Sequence, residues 1–331
     1  MGDKNNKISI YYEHPDWFRP LFTALDRRGV AYESIDASGH SFNPDRTIDT
    51  PVFFNRMSAS ASYRGHGNAI FYTRYLLAQL ENNGVRVING SRSYAIETSK
   101  ALQLSLLRTL GLRHPKTIVS NSLEQISAAA GEIGFPLVVK PNIGGRGSGI
   151  ILFNSKDELA QAITDGLIDL GPDSTALVQE FLPKRGGTIQ RIETLGGKFL
   201  YGLRIHTSGE NFNLCPAEAC LIEDQQLDAE ICLTDGPAKG VSFERFDPPA
   251  EIIAAVEKIA AEARLDLGGV EYLIDDRTGE PVFYDINALS NFVADAINIV
   301  GFDPHEKLVD FLEKEMNRCD TVIGFRSSVA G

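Results

Sequence analysis

Apolar and polar positions in the first hundred residues follow two periods in turn. KISIYYE, AYESIDA, TPVFFN and VRVIN are short runs rich in β-branched and aromatic residues and predict strands. FRPLFTALDRRGV and GNAIFYTRYLLAQLENNG carry their apolar residues at helical spacing, and Gly84 closes the second. Strand and helix in alternation predict a parallel sheet with helices on its faces. A further helix is expected over TSKALQLSLLRTLGL, capped by Thr98 or Ser99 and ending near Gly111. From residue 115 the pattern changes to KTIVS, FPLVVKP, GIILF, TALVQEFLP, TIQRIETL and KFLYGLRIH, with helices at SLEQISAAAGEIG and SKDELAQAITDGLI. That order predicts a small α+β unit followed by a larger, mainly antiparallel sheet. Asp247 before Pro248, and Asp303 before Pro304, predict capped starts for EIIAAVEKIAAEA and KLVDFLEKEM, and the final GFRSSVAG is expected to fray.

Composition narrows the class of partner. The chain has 331 residues with 44 acidic against 32 basic side chains, a net charge of −12. A nucleic-acid or anionic-membrane partner needs a basic face, so neither is expected. No apolar stretch reaches the length of a membrane span, and Cys215, Cys220, Cys232 and Cys319 have no C-x-x-C spacing, so reduced thiols in a cytoplasmic protein are the expectation. The turn after KISIYYE lacks glycine and no G-x-x-x-x-G-K-[ST] occurs, which weakens dinucleotide-binding and P-loop readings.

Two stretches carry chemistry. In FPLVVKPNIGGRGSGIILF, Gly144, Gly145, Gly147 and Gly149 fall within six residues between two apolar strands, with Arg146 and Ser148 among them. Such a turn can adopt positive φ and bring bare amide groups close to a polyphosphate, within reach of the Lys140 ammonium. In GGVEYLIDDRTGEPVFYDINALSN, the turn residues Asp275–Gly279 predict an antiparallel hairpin. Centring it on Thr278 sets Glu271 opposite Asp285 and puts Asn287 on the same face. Two carboxylates and an amide oxygen on one spot repel each other when empty and suit Mg²⁺ bridging substrate phosphates.

A lysine-ended strand, a glycine-rich hairpin, VQEFLP some forty residues on, and Glu…Asp-x-Asn in a late hairpin together resemble the ATP-grasp superfamily. More closely, they resemble the RimK-like carboxylate–amine ligase branch, which includes the ribosomal-protein glutamate ligase and the α-aminoadipate carrier-protein ligase of lysine biosynthesis. The likeness runs from about Thr98 to Phe311. It implies an N-terminal α/β pre-ATP-grasp unit (1–97), a lid subdomain with the glycine loop (98–178) and a C-terminal ATP-grasp subdomain with the metal site (179–331).

The resemblance also implies residue roles. Lys100 and Lys140 match the two lysines on the nucleotide phosphates, and Gln179, Glu180, Phe181 and Leu182 match the hinge that reads adenine through its backbone. Glu271, Asp285 and Asn287 match the Mg²⁺ triad, with Mn²⁺ as a substitute ion and with the family's first two carboxylates exchanged. Arg191, Arg204 and Asn213 match catalytic positions near the acyl phosphate. Asn211 replaces a branch arginine and Ile189 stands near the expected ribose carboxylate, leaving Thr188 and Lys184 as weaker candidates. Arg56 and Arg64, at the carboxyl end of a parallel strand and in the loop beyond it, are candidate contacts for an anionic substrate. Asn291 lies in NALSNF, the run that lines the acceptor pocket in the branch. The implied activity is ATP- and Mg²⁺-dependent joining of a carboxylate and an amine through an acylphosphate, on an amino acid, a peptide or a carrier protein, by a dimer or tetramer. Its rivals are an acid–thiol ligase or carboxylase, and a nucleotide-binding regulator without catalysis.

Overall fold

The computed structural model describes residues 7–145, 147–207 and 241–329, with side chains throughout except at 241 and 319–329. Arg146, Asn211, Asn213 and three of the cysteines, Cys215, Cys220 and Cys232, lie outside these residues. Strands β1 (Ile8–Tyr12), β2 (Tyr32–Asp36), β3 (Val52–Arg56) and β4 (Arg86–Ile88) form a parallel sheet in the order β2-β1-β3-β4. Helices α1 (Arg19–Arg28) and α2 (Gly67–Asn82) cover it. β3 is buried along its whole length, as a central strand of a parallel sheet must be. Helix α3 (Ser91–Glu97) follows directly, an element too short for its periodicity to stand out in sequence. It leads into α4 (Lys100–Thr109), where Ser99 rather than Thr98 is the cap and its side chain accepts from Leu102 N–H.

The second sheet is antiparallel, in the order β5-β8-β6-β7: β5 (Thr117–Ser120), β6 (Leu137–Pro141), β7 (Ile151–Phe153) and β8 (Ala176–Glu180). Helices α5 (Leu123–Ile133) and α6 (Lys156–Thr164) pack on one face through Ile126, Ala130, Leu159 and Ala162. The third sheet, also antiparallel, is ordered β11-β10-β9-β12-β13: β9 (Thr188–Leu195), β10 (Lys198–Thr207), β11 (Val241–Phe246), β12 (Leu267–Ile274) and β13 (Pro281–Asn287). β11 was not evident in the sequence because VSFERF is short and carries two charges.

Helix α7 (Ala250–Ala263) follows β11, then α8 (Ala296–Val300) and α9 (Pro304–Val329) follow β13. Two expected helix ends differ. Pro249 occupies the cap of α7, so Asp247 lies outside it, whereas Asp303 does serve α9, accepting from His305 N–H at 2.9 Å. α9 continues to Val329, so the helix includes most of the segment expected to fray.

Packing does not follow chain order. α4 precedes the second sheet but joins the core of the third, where Leu104 and Leu107 meet Val256, Val270 and Ile286. α9 crosses back to the first sheet, where Leu308, Val309 and Leu312 join Ile8, Ile10 and Val52. At the surface, Arg28 pairs with Glu306 at 3.1 Å and Asp310 at 2.9 Å. Asn89 closes the junction from inside. Its Nδ2 donates to Leu267 O (2.8 Å) and Ala288 O (2.7 Å), and its Oδ1 accepts from Asp266 N (2.9 Å) and Leu267 N (3.2 Å). Among the described residues, no helix is long and apolar enough to cross a membrane.

Candidate active site

Side chains directly opposite in an antiparallel sheet share a face, and the third sheet sets out its polar residues in two rows. Asp285, Glu271, Arg191 and Leu203 are opposite one another across β13, β12, β9 and β10, and beside them run Asn287, Gly269, Glu193 and Tyr201. The expected pairing of Glu271 with Asp285 is present, and it depends on a bulge. The turn-side pairs are Tyr272–Phe283, Leu273–Val282 and Ile274–Pro281, and Tyr284 is the extra residue that brings Asp285 back opposite Glu271. Its hydroxyl then donates to Glu271 Oε2 at 3.0 Å.

Arg191 is the hub of this face. Its Nη1 donates to Glu271 Oε1 at 2.8 Å, its Nε to Glu193 Oε1 at 2.6 Å, and its Nη2 to Ser290 Oγ at 3.4 Å. Burial works against the guanidinium charge, but Glu193 and Glu271 outweigh it and hold Arg191 firmly protonated. Gly269 supplies the room: a Cβ there would lie 2.5 Å from Arg191 Nη2. Arg204 is a correction to the sequence reading. It stands opposite Gln190 and Glu244, on the other face of the sheet, over the Phe246 ring, and pairs with Glu244 at 3.4 Å.

The two lysines arrive from different elements. Gln103 of α4 grips the free edge of β13, donating to Ile286 O at 2.9 Å and accepting from Ile286 N at 3.1 Å. This sets Lys100, three residues earlier, with its Nζ 3.0 Å from Asp285 Oδ1. Burial disfavours both charges of that pair, and each partner outweighs it for the other, so Asp285 is held below and Lys100 above its ordinary range. Lys140, at the end of β6, is buried; loss of water and the neighbouring Lys100 charge push it down to about 7, against the pull of Asp285 and Glu271. Burial also lifts Glu271, Arg191 offsets this in part, and Asp285 lifts it further. Lys100, Lys140, Glu271 and Asp285 therefore share one electrostatic neighbourhood.

The glycine loop lies against the first unit. Gly147 (φ 72°) and Gly149 (φ 74°) use the left-handed region, as expected of such a turn. Gly144 and Gly145 do not; they are small because of close approach, since a Cβ at Gly144 would lie 2.9 Å from the Tyr63 hydroxyl and one at Gly145 3.3 Å from Ser60 Cβ. Ser148 offers its carbonyl to Tyr63 at 3.4 Å. Just before the loop, Asn142 accepts from Ser99 Oγ (3.1 Å) and Ala101 N (2.9 Å), which ties the loop to the start of α4. At the other candidate region, β8 ends at Glu180, whose carboxylate accepts from Lys116 N at 2.7 Å and Arg277 Nη2 at 3.0 Å. Gln179 donates to Thr117 Oγ1, and Phe181 N–H is bonded to Pro136 O at 3.2 Å, with Leu182 buried beside it. Thr188 and Lys184 flank the same connection.

Of the candidate substrate contacts, the structure brings two together. Arg56 is enclosed, its Nη2 bonded to Ser290 O at 2.5 Å and Asn291 Oδ1 at 2.9 Å, and burial pulls it down to about 9. Arg64 instead serves Glu13, donating from Nε at 2.9 Å, with His66 on the same carboxylate at 2.7 Å. Sequence reasoning missed Glu97, Glu193, Ser290 and Gln103. Glu193 was the legible one, because Arg-x-Glu on a strand puts opposite charges on one face; Glu97, which accepts from Ala288 N at 2.5 Å, carries no such signal.

The donor set fits a hard divalent ion. Each carboxylate oxygen of Glu271 and Asp285 is held by a donor: Arg191 and Tyr284 on the first, Lys100 and Asn287 Nδ2 (3.1 Å) on the second. Turning the Asn287 amide would offer its oxygen in the same place. Among the described residues no group of three His, Cys, Asp or Glu is clustered, so an ion here would draw further oxygens from a ligand.

Comparison with known proteins shows what this chain is similar to. Residues 97–230 match the RimK-like ATP-grasp domain. The chain is 26% identical over 239 residues to "Probable alpha-L-glutamate ligase 1" of Shewanella sp. (strain ANA-3), covering 64% of this chain and 76% of that one. It is 32% identical over 135 residues to "Probable alpha-L-glutamate ligase" of Thioalkalivibrio sulfidiphilus (strain HL-EbGR7), covering 40% of this chain and 44%, less than half, of that relative. Among solved structures, the RimK domain ATP-grasp protein of Sphaerobacter thermophilus DSM 20745 aligns with a TM-score of 0.65 at 20% identity, over 92% of this chain and 98% of that one. The ATP-grasp ligase PsnB, complexed with minimal precursor, Mg and ADP, aligns with a TM-score of 0.62 at 17% identity, over 96% and 99%. Residues 97–230 thus resemble the RimK-like ATP-grasp domain in sequence, within a chain that has the fold of the ATP-grasp ligases.

Proposed function

We propose that the protein is an ATP- and Mg²⁺-dependent carboxylate–amine ligase acting on an amino acid or peptide substrate. The observation that carries this reading is the convergence of Lys100 and Lys140 with Glu271 and Asp285 on the sheet face that holds Arg191. Phosphoryl transfer depends on positioning and charge neutralisation, and this face supplies cations and hard oxygen donors without a protein nucleophile. A substrate carboxylate attacks the γ-phosphorus of ATP, ADP leaves, and an amine displaces phosphate from the resulting acylphosphate.

Lys100 and Lys140 neutralise the phosphates, and the glycine loop, with Arg146 and Ser148, excludes water from them. Glu271, Asp285 and Asn287 would hold Mg²⁺, or Mn²⁺ in its place, which would supply Lewis acidity for the phosphoryl transfer. The backbone of Gln179–Leu182 receives adenine. Arg191 stabilises charge on the acylphosphate, with Asn213 as a further contact, and Arg56 acts on the substrate through Asn291, which it holds. The second sheet, which runs two residues past the 98–178 unit, is the lid; α4 stays with the third sheet on which it packs. Residues 1–97 present substrate from the other side. A cytoplasmic location, a dimeric or tetrameric assembly and a carrier protein that presents the substrate belong to the same reading.

The test is ADP release with Mg-ATP across a matrix of amino acids and carboxylates. Release that depends on an acceptor and is lost in folded Lys140→Ala and Asp285→Ala is the expected result. Tight ATP binding without acceptor-dependent release would instead mark a nucleotide sensor.

A further inference from the structure

A second concavity lies apart from the residues of the candidate active site. It is a groove of about 960 Å³, bounded by the end of α2, the outer edge of β4, the start of α3, the β9–β10 turn and the C-terminal end of α7. That volume is within the range of small-molecule sites. Its lining includes four cations, Arg86, Arg92, Lys198 and Arg264, on a chain of net charge −12.

The acids in the lining are already committed. Asp266 is bonded to Arg86 at 2.5 Å and Glu257 to Lys198 at 2.8 Å, while Glu81 accepts from Ser91 N–H at 2.8 Å. Arg92 and Arg264 remain without an acidic partner among the described residues; Arg92 reaches only Glu262 O, at 3.5 Å. The Ser91 hydroxyl, also in the lining, is buried with no hydrogen-bond partner.

Arg264 adds an independent anomaly. It ends α7 in the left-handed conformation, φ 51° and ψ 47°, a position where glycine is the ordinary residue and a long side chain is strained. Strain of this kind persists where the side chain has a use. Here it sets a guanidinium at the rim of the groove, at the end of α7 whose Glu262 carbonyl Arg92 reaches.

We propose that this groove binds a small polyanion, a phosphate ester or a di- or tricarboxylate, between Arg92 and Arg264, with the Ser91 hydroxyl turning into the groove as a donor. Both walls lead to the active face by short paths. Asp266 enters β12, which carries Glu271, and Ser91 begins α3, which ends at Glu97 beside Lys100.

Calorimetric titration of the whole protein with inorganic phosphate and with citrate, without nucleotide or Mg²⁺, tests the assignment. Arg264→Gly is the informative variant, because glycine adopts this backbone readily and the melting temperature should stay level or rise. The expected result is binding of at least one anion, weakened tenfold or more by Arg264→Gly and by Arg92→Gln and unchanged by Lys140→Ala. Preference for phosphate identifies a phosphate ester, and preference for citrate a polycarboxylate. The proposal is overturned if the wild-type protein binds neither at millimolar concentration, if both arginine variants bind as well as wild type, or if Lys140→Ala alone removes binding, which would assign the anion to the glycine loop.

Discussion

Lys140 sits at the end of β6 where its charge is costly. Held down to about 7 by burial and by Lys100, it binds fewer protons in the folded protein than in the unfolded chain between that value and the ordinary lysine range. Over that window its contribution to stability therefore rises with pH, by about 1.4 kcal/mol per unit. Phosphates reverse the balance by favouring the ammonium. At pH 8, binding of Mg-ATP should take up close to one proton, measurable by calorimetry in buffers of different ionisation enthalpy; uptake that persists in Lys140→Met would refute the placement of this lysine on the phosphates. Gly269 makes a complementary prediction. A Cβ there meets the Arg191 guanidinium, which is a movable end but is pinned by Glu193 and Glu271. Gly269→Ala should fold, at a cost of about 1 kcal/mol, and lose activity by roughly 10- to 100-fold, because Arg191 must leave both partners. Unchanged kcat with the melting temperature intact would show that Arg191 has no part in the chemistry. The sequence made Lys140 and the candidate metal-binding residues legible, because their spacing is local. It could not reveal why Gly269 is glycine, since the atom that needs the space is on another strand.

Strand alternation decides which of the two candidate arginines faces the site. Arg191 is opposite Glu271, while Arg204 lies across from Gln190 and is turned to the face covered by α7. Arg191→Ala should lower kcat by about 100-fold or more, as loss of one preorganised donor to developing charge does, and Arg204→Ala should stay near wild type. Equal losses in both variants would contradict the register. The two strands were legible from their apolar pattern, but their relative register depends on a β-hairpin turn at Gly196 and Gly197 and a bulge between Phe199 and Tyr201, and periodicity reads neither. Hairpin symmetry succeeded for Glu271 and Asp285 because the bulge at Tyr284 restores the pairing that the shorter turn would have shifted. Gln103 is the helical counterpart of these effects. Its amide satisfies both backbone groups of Ile286 on the sheet edge, and its replacement by Met, similar in volume but unable to bond, should cost about 1–3 kcal/mol in denaturant unfolding. It should also weaken nucleotide binding, as Lys100 is on the same helix.

At the scale of the molecule, chain order and packing order diverge. The pattern of strands and helices made three sheets legible, yet α4 packs with the third sheet and α9 with the first, because apolar faces join whatever partner closes over them rather than the nearest element in sequence. Asn89 concentrates that assembly in one residue. It follows β4, accepts from two amides at the start of β12, donates to Leu267 O and Ala288 O, and has φ 52°, so one side chain joins the first sheet to both ends of the β12–β13 hairpin. A buried amide using all these bonds stabilises only while the set is complete, and removing it leaves several backbone groups without partners. Asn89→Gly separates this from backbone strain, since glycine keeps the positive φ at no cost and loses only the hydrogen bonds. The expected outcome is destabilisation of about 3 kcal/mol or more in urea, with nucleotide affinity falling as Ala288, next to Asn287, loses its tether. A variant as stable as wild type would mean that water replaces the amide at the junction and that the apolar contact of α9 with the first sheet is sufficient to hold the two units together.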